Sequence, residues 1–100
     1  MKELKDHIEQ INQLCNLHSV KSLFAFGSVV SDKLNIESDI DLIVDIDSKD
    51  PIIYSEHYFA LKFQLEDILN RKIDLLEDRA IKNPFLKKQI DNTKVLVYGR

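Results

Sequence analysis

Asp39-Ile40-Asp41-Leu42-Ile43-Val44-Asp45-Ile46-Asp47 sets Ile40, Leu42, Val44 and Ile46 in alternation with mostly acidic neighbours. A period of two is the pattern of a β-strand with one face on a core. Alternation also sends Asp39 and Asp41 to the same side, with Cα atoms about 6.5–7 Å apart. Two carboxylates so placed can converge on a hard cation. Mg²⁺ in particular takes oxygen ligands while keeping water and phosphate oxygens in its shell.

Upstream, Val20 to Phe26 reads as a second strand that ends at Gly27-Ser28, ten residues before Asp39. Leu4, Ile8, Ile11, Leu14 and Cys15 recur at helical spacing, so residues 3–17 predict an amphipathic helix that His18-Ser19 ends. Downstream, Asp50 is a good N-cap and Pro51 suits the first helical position. Tyr54, Tyr58, Leu61, Leu65, Ile68 and Leu69 then carry a long helix to Asn70. Lys72 to Glu77 is a short strand with Asp74 within it, Asn83 caps a helix over Pro84 to Asp91, and Thr93 to Tyr98 is a closing strand. The order α-β-β-α-β-α-β gives an α/β (α+β) fold, one small mixed sheet with helices packed against it, over a single domain of residues 1–100.

Composition excludes several classes. Two Gly and two Pro in 100 residues, with 44% apolar content, do not describe a disordered or fibrous chain. Cys15 has no disulfide partner, and no Cys/His cluster has zinc spacing. The charged start Met1-Lys2-Glu3-Leu4-Lys5-Asp6-His7 does not fit a signal peptide, and no apolar run approaches a bilayer span, so the expected location is cytoplasmic. Residues 1–70 carry 6 basic and 13 acidic side chains (−7), residues 71–100 carry 8 and 4 (+4). That distribution is poorly suited to gripping duplex DNA. The basic tail residues Arg71, Lys72, Arg79, Lys82, Lys87, Lys88 and Lys94 are expected to face an acidic partner, a phosphate or simply solvent.

Gly27-Ser28 supplies the other half of a chemical site. Glycine permits close backbone approach, and Ser28 offers an N–H and a hydroxyl to a phosphate oxygen. Asp74 joins Asp39 and Asp41 if its strand neighbours theirs, and three clustered carboxylates call for a cation. Gly-Ser and Asp-x-Asp are each common in turns and at strand edges; their combination at this spacing is what carries the reading.

Gly27-Ser28, ten residues, then Asp39-Ile40-Asp41-Leu42-Ile43-Val44 resembles the signature of the polymerase-β-like nucleotidyltransferase superfamily. The chain's length is similar to its minimal nucleotidyltransferase (MNT) branch, and the resemblance runs from Leu23 to about Tyr98. It implies that Asp39 and Asp41 bind two Mg²⁺ ions, and that Asp74, in Lys72-Ile73-Asp74-Leu75-Leu76, completes the metal site and activates the attacking hydroxyl. Gly27 and Ser28 would hold the triphosphate of ATP. Many members place an Arg three positions after the Ser. Here Ser31 stands there, followed by Asp32, with Lys33 as the nearest substitute. That departure implies slower turnover or a non-catalytic role.

The resemblance further implies a helical HEPN partner encoded nearby, a toxin whose tyrosine receives AMP from ATP, with a homo- or hetero-oligomeric assembly and no direct contact to nucleic acid or membrane. Two alternatives are a non-catalytic antitoxin that blocks its partner sterically and a small-molecule nucleotidyltransferase subunit. Other residues read structurally. His7, His18 and His57 have no partner spacing and belong to the surface or an interface. Tyr54 and Tyr58 lie on an apolar stripe, and Phe24 and Phe26 are expected as strand core beneath the site. Asp45 and Asp47 merely continue the acidic alternation.

Overall fold

Asp50 caps the longest helix as its chemistry demands: its carboxylate accepts from Ile52 N (2.9 Å) and Ile53 N (3.4 Å), and Pro51 opens the helix. The helix ends where Asn70 turns left-handed (φ 51°), a conformation asparagine tolerates better than most residues. Asn83 repeats the device, accepting from Phe85 N and Leu86 N ahead of Pro84.

The computed structural model describes residues 1–99, with Arg100 outside the described residues. The helices are α1 (Lys2–Lys5), α2 (Ile8–Leu17), α3 (Pro51–Leu69) and α4 (Pro84–Thr93); the strands are β1 (Val20–Phe26), β2 (Ile40–Ile46), β3 (Ile73–Glu77) and β4 (Val95–Gly99). One four-stranded sheet has the order β3-β2-β1-β4. β1 is antiparallel to β2 and β4, whereas β2 and β3 run parallel, joined by α3 as the crossover parallel strands require.

The core lies on one side of this sheet. Leu23 and Ala25 of β1, Ile40, Leu42, Val44 and Ile46 of β2, and Ile73 and Leu75 of β3 cluster with Ile11 and Cys15 of α2 and Tyr54, Leu61, Leu65 and Leu69 of α3. The alternating apolar set of β2 is thus the buried set, which leaves Asp41 on the opposite face. No helix of the described residues is long and apolar enough to cross a membrane.

Two expectations need correction. The helix over residues 3–17 is broken at Asp6-His7 into α1 and α2, and His7 leaves helical geometry (φ −124°, ψ 20°). The break lets α1 fold back so that Leu4 is buried and the Met1 amino group donates to Val29 O at 2.6 Å. Phe24 and Phe26 are not strand core: Leu23 and Ala25 take that face, and both phenylalanines are half-buried on the other.

Tyr54 is buried, and its hydroxyl has no hydrogen-bond partner among the described residues. Its pKa is pushed up to about 12, first by burial and then by Glu77. A desolvated, unpaired hydroxyl costs about 1–3 kcal/mol. Tyr54→Phe is therefore expected to leave stability unchanged or to raise it by up to about 1 kcal/mol. Urea unfolding checks this, and a loss above about 1 kcal/mol would show that the hydroxyl has a partner.

Candidate active site

Asp41 is the centre of the site because three elements meet at it. On β1, the partner of Asp41 is Phe26, the last residue before the chain turns; on β3, its partner is Asp74. Residues paired across neighbouring strands share a face at about 4.8 Å, so the carboxylates of Asp41 and Asp74 stand side by side. Asp39 precedes β2 and is exposed, two residues from Asp41. Burial, then Asp74, then Asp39 raises the pKa of Asp41 above the ordinary carboxylate value. The arrangement concentrates negative potential on one carboxyl.

Gly27 explains how that carboxyl is accommodated. Its φ is +73°, and a Cβ built there would lie 2.5 Å from Asp41 Oδ2. The side chain of Asp41 therefore occupies the space that any residue but glycine would fill. Gly27–Val29 then forms a single 3-10 turn. The first N–H groups of such a turn have no carbonyl within it to meet, which leaves donors beside the carboxylates. Val30 N and Ser31 N close the turn onto Gly27 O, and Lys33 N donates to Ser28 O at 3.0 Å.

Of the sequence-derived site residues, Asp41 and Asp74 are in direct register, Gly27 lies against the Asp41 carboxylate, Asp39 flanks them, and Ser28 is in the adjoining turn. Lys33 is tied to the turn through its backbone, and its side chain is exposed. Asp45 does not join the site; it makes a 3.4 Å ion pair with Arg79. Sequence reasoning missed Arg71. Its guanidinium donates to Asn35 O (2.5 Å) and Ser38 O (2.6 Å), fastening the segment that delivers Asp39. A basic residue just past a helix C-cap signals a charge but not its carbonyl partners, so no local pattern reveals this role.

The donor set suits a hard divalent cation such as Mg²⁺: it is all oxygen, and the charges of Asp74 and Asp39 that raise the pKa of Asp41 are ones a cation would offset. Among the described residues, no three His, Cys, Asp or Glu side chains are grouped so as to hold a metal ion, so Asp41 and Asp74 stand together but Asp39 does not complete a three-carboxylate set with them. Mg²⁺ does not need one, since it is commonly held by one or two carboxylates with substrate phosphates completing its shell.

Residues 9–100 match the family model described as "Polymerase beta, Nucleotidyltransferase". The Methanocaldococcus jannaschii protein named "Putative protein adenylyltransferase MJ1379" is 32% identical over 98 residues, covering 97% of each chain. The structure described as "Structure of putative minimal nucleotidyltransferase" superposes with a TM-score of 0.79 at 26% identity, over 94% of this chain and 92% of that one. A complex of a tri-AMPylated Shewanella oneidensis HEPN toxin with MNT antitoxin shares the fold at a TM-score of 0.65 and 21% identity, covering 96% of this chain and 72% of that one. With a family model spanning nearly the whole sequence and a relative matched along almost its full length, this chain belongs to the polymerase-β nucleotidyltransferase family.

Proposed function

We propose that this nucleotidyltransferase is the antitoxin of a HEPN/MNT pair and moves AMP from ATP to a tyrosine hydroxyl of its HEPN partner. The observation that carries the reading is the Asp41–Asp74 register with the Asp41 carboxylate lying against Gly27. A relative named as a protein adenylyltransferase, and a related fold bound to an AMPylated HEPN toxin, support the choice of a protein acceptor.

Asp39, Asp41 and Asp74 would hold two Mg²⁺ ions, which when bound neutralise the triphosphate and stabilise charge on the attacking and leaving oxygens. Asp74 accepts the proton of the tyrosine hydroxyl. The tyrosine oxygen bonds to the α-phosphorus as the bond from that phosphorus to the bridging oxygen breaks, and pyrophosphate departs. Ser28 and the N–H groups of its turn orient the β- and γ-phosphates. Lys33 is the nearest cation to stand in for the family arginine that Ser31 replaces.

Intact mass spectrometry of the HEPN partner tests this after incubation with the chain, Mg²⁺ and each nucleoside triphosphate in turn. The expected result is one or more added AMP groups with ATP only, lost when the acceptor tyrosine is changed to Phe. Unmodified partner that is nonetheless inhibited in a stable complex would instead establish steric blocking.

Arg71 gives a graded prediction. Arg71→Ala frees the segment 35–38, and a misplacement of about 1 Å at a catalytic group can cost 100-fold. The expected loss in kcat/KM is roughly 10–100-fold, with a raised Mg²⁺ requirement and a nearly unchanged melting midpoint. Unaltered Mg²⁺ dependence would mean Asp39 is positioned without it.

A further inference from the structure

His18 and His57, 39 residues apart in sequence, meet where α2 ends against α3. Their Nδ1 atoms lie 3.1 Å apart, with the rings crossing at 66°. His18 is only 7% exposed, while His57 is half-buried and reaches the surface. This overturns the expectation that neither has a partner.

The outer atom of His18 is also engaged. Its Nε2 lies 2.6 Å from Gln64 Oε1, an oxygen that can only accept, so Nε2 carries the proton and Nδ1 presents its lone pair toward His57. Metal-ligating histidines are typically held this way, with the far ring nitrogen donating to a fixed oxygen. With Zn–N bonds of about 2.0–2.1 Å, two nitrogens at that spacing subtend roughly 100° at a common ion, between the square-planar and tetrahedral values.

We propose that His18 Nδ1 and His57 Nδ1 form a two-histidine site for a borderline divalent transition ion of the Cu²⁺, Ni²⁺ or Zn²⁺ class, oriented by Gln64. Imidazole nitrogen suits these ions, whereas Mg²⁺ prefers oxygen. His57 turns its Nδ1 lone pair inward by moving its proton to Nε2, on the exposed side. Among the described residues, no third His, Cys, Asp or Glu completes a three-ligand group, so water fills the remaining positions. The site lies on the helical side of the sheet and the carboxylates on the other, so the two centres are separate. An ion here pins α2 to α3, and binding to the folded state alone raises its stability.

Titrating the full chain with Cu²⁺ tests the site by electron paramagnetic resonance and thermal melting. The Asp39→Asn/Asp41→Asn double variant serves as background to remove the carboxylate site. The expected spectrum shows coupling to two nitrogens. The melting midpoint should rise by roughly 5–10 °C at about ten times the dissociation constant. His57→Ala should abolish both effects in this background and, made in the native sequence, should leave Mg²⁺-dependent transfer intact; Gln64→Leu should weaken the ion roughly 10–100-fold. Because His18 is buried and its variants risk misfolding, the test rests on these two substitutions. An equal midpoint shift in His57→Ala, or a spectrum unaltered by it, would overturn the proposal and reduce the pair to a hydrogen bond.

Discussion

Asp41→Asn is expected to lower AMP transfer at least about 1000-fold, equivalent to about 4 kcal/mol of transition-state stabilisation, while making the metal-free fold more stable at neutral pH. The two effects share a cause. Asp41 has its pKa raised by burial, Asp74 and Asp39. A carboxyl raised in the folded state favours folding fully only below its unfolded pKa, and that contribution is lost as pH rises through the folded value. Above that folded value the charge on Asp41 works against the fold, and asparagine removes the charge at nearly constant shape. Melting of both proteins without divalent ions checks this: the variant should be the more stable at pH 7, and the gap should close below about pH 4. Adding Mg²⁺ should reverse the order by stabilising only the native sequence. A variant that keeps its activity, or one less stable at neutral pH, would contradict the account of the site.

Gly27→Ala carries the second large effect. At φ +73°, a Cβ costs about 1–2 kcal/mol in backbone strain alone. The added carbon also lies 2.5 Å from Asp41 Oδ2, so the carboxylate must move. The expected outcome is a stability loss of about 1–3 kcal/mol with transfer reduced roughly 100-fold. Combining it with Asp41→Asn separates the causes. If the alanine acts by displacing Asp41, the double variant should be little slower than Asp41→Asn alone, a strong non-additivity. Fully multiplicative losses would mean Gly27 serves the turn and not the carboxylate.

Where the sequence was legible, the signals were local. β2 announced itself because one phase of its alternation is aliphatic and the other largely acidic, and α3 and α4 because Asp50-Pro51 and Asn83-Pro84 are complete start signals. Asp74 could be placed on a strand, but its pairing with Asp41 depended on which strands neighbour each other, a long-range fact. β1 was ambiguous in face: Phe24 and Phe26 in one phase compete with Leu23 and Ala25 in the other, and packing against α2 and α3 decided for the smaller pair. The break at His7 has no local signal, since α1 and α2 share one apolar periodicity. It follows from where Leu4 and the Met1 amino group find partners. Arg71 and the His18–His57 contact were illegible for the same reason, their partners lying 33 and 39 residues away.

Binding of Mn²⁺, as a paramagnetic substitute for Mg²⁺, in the presence of a non-hydrolysable ATP analogue asks most directly whether residues 39, 41 and 74 form one ion-holding centre. Two ions per chain are expected for the native sequence. Asp74→Asn should lose one of them, and Asp39→Asn/Asp41→Asn should lose both along with the nucleotide. Undiminished Mn²⁺ binding in all of these variants would place the ions elsewhere and contradict the assignment.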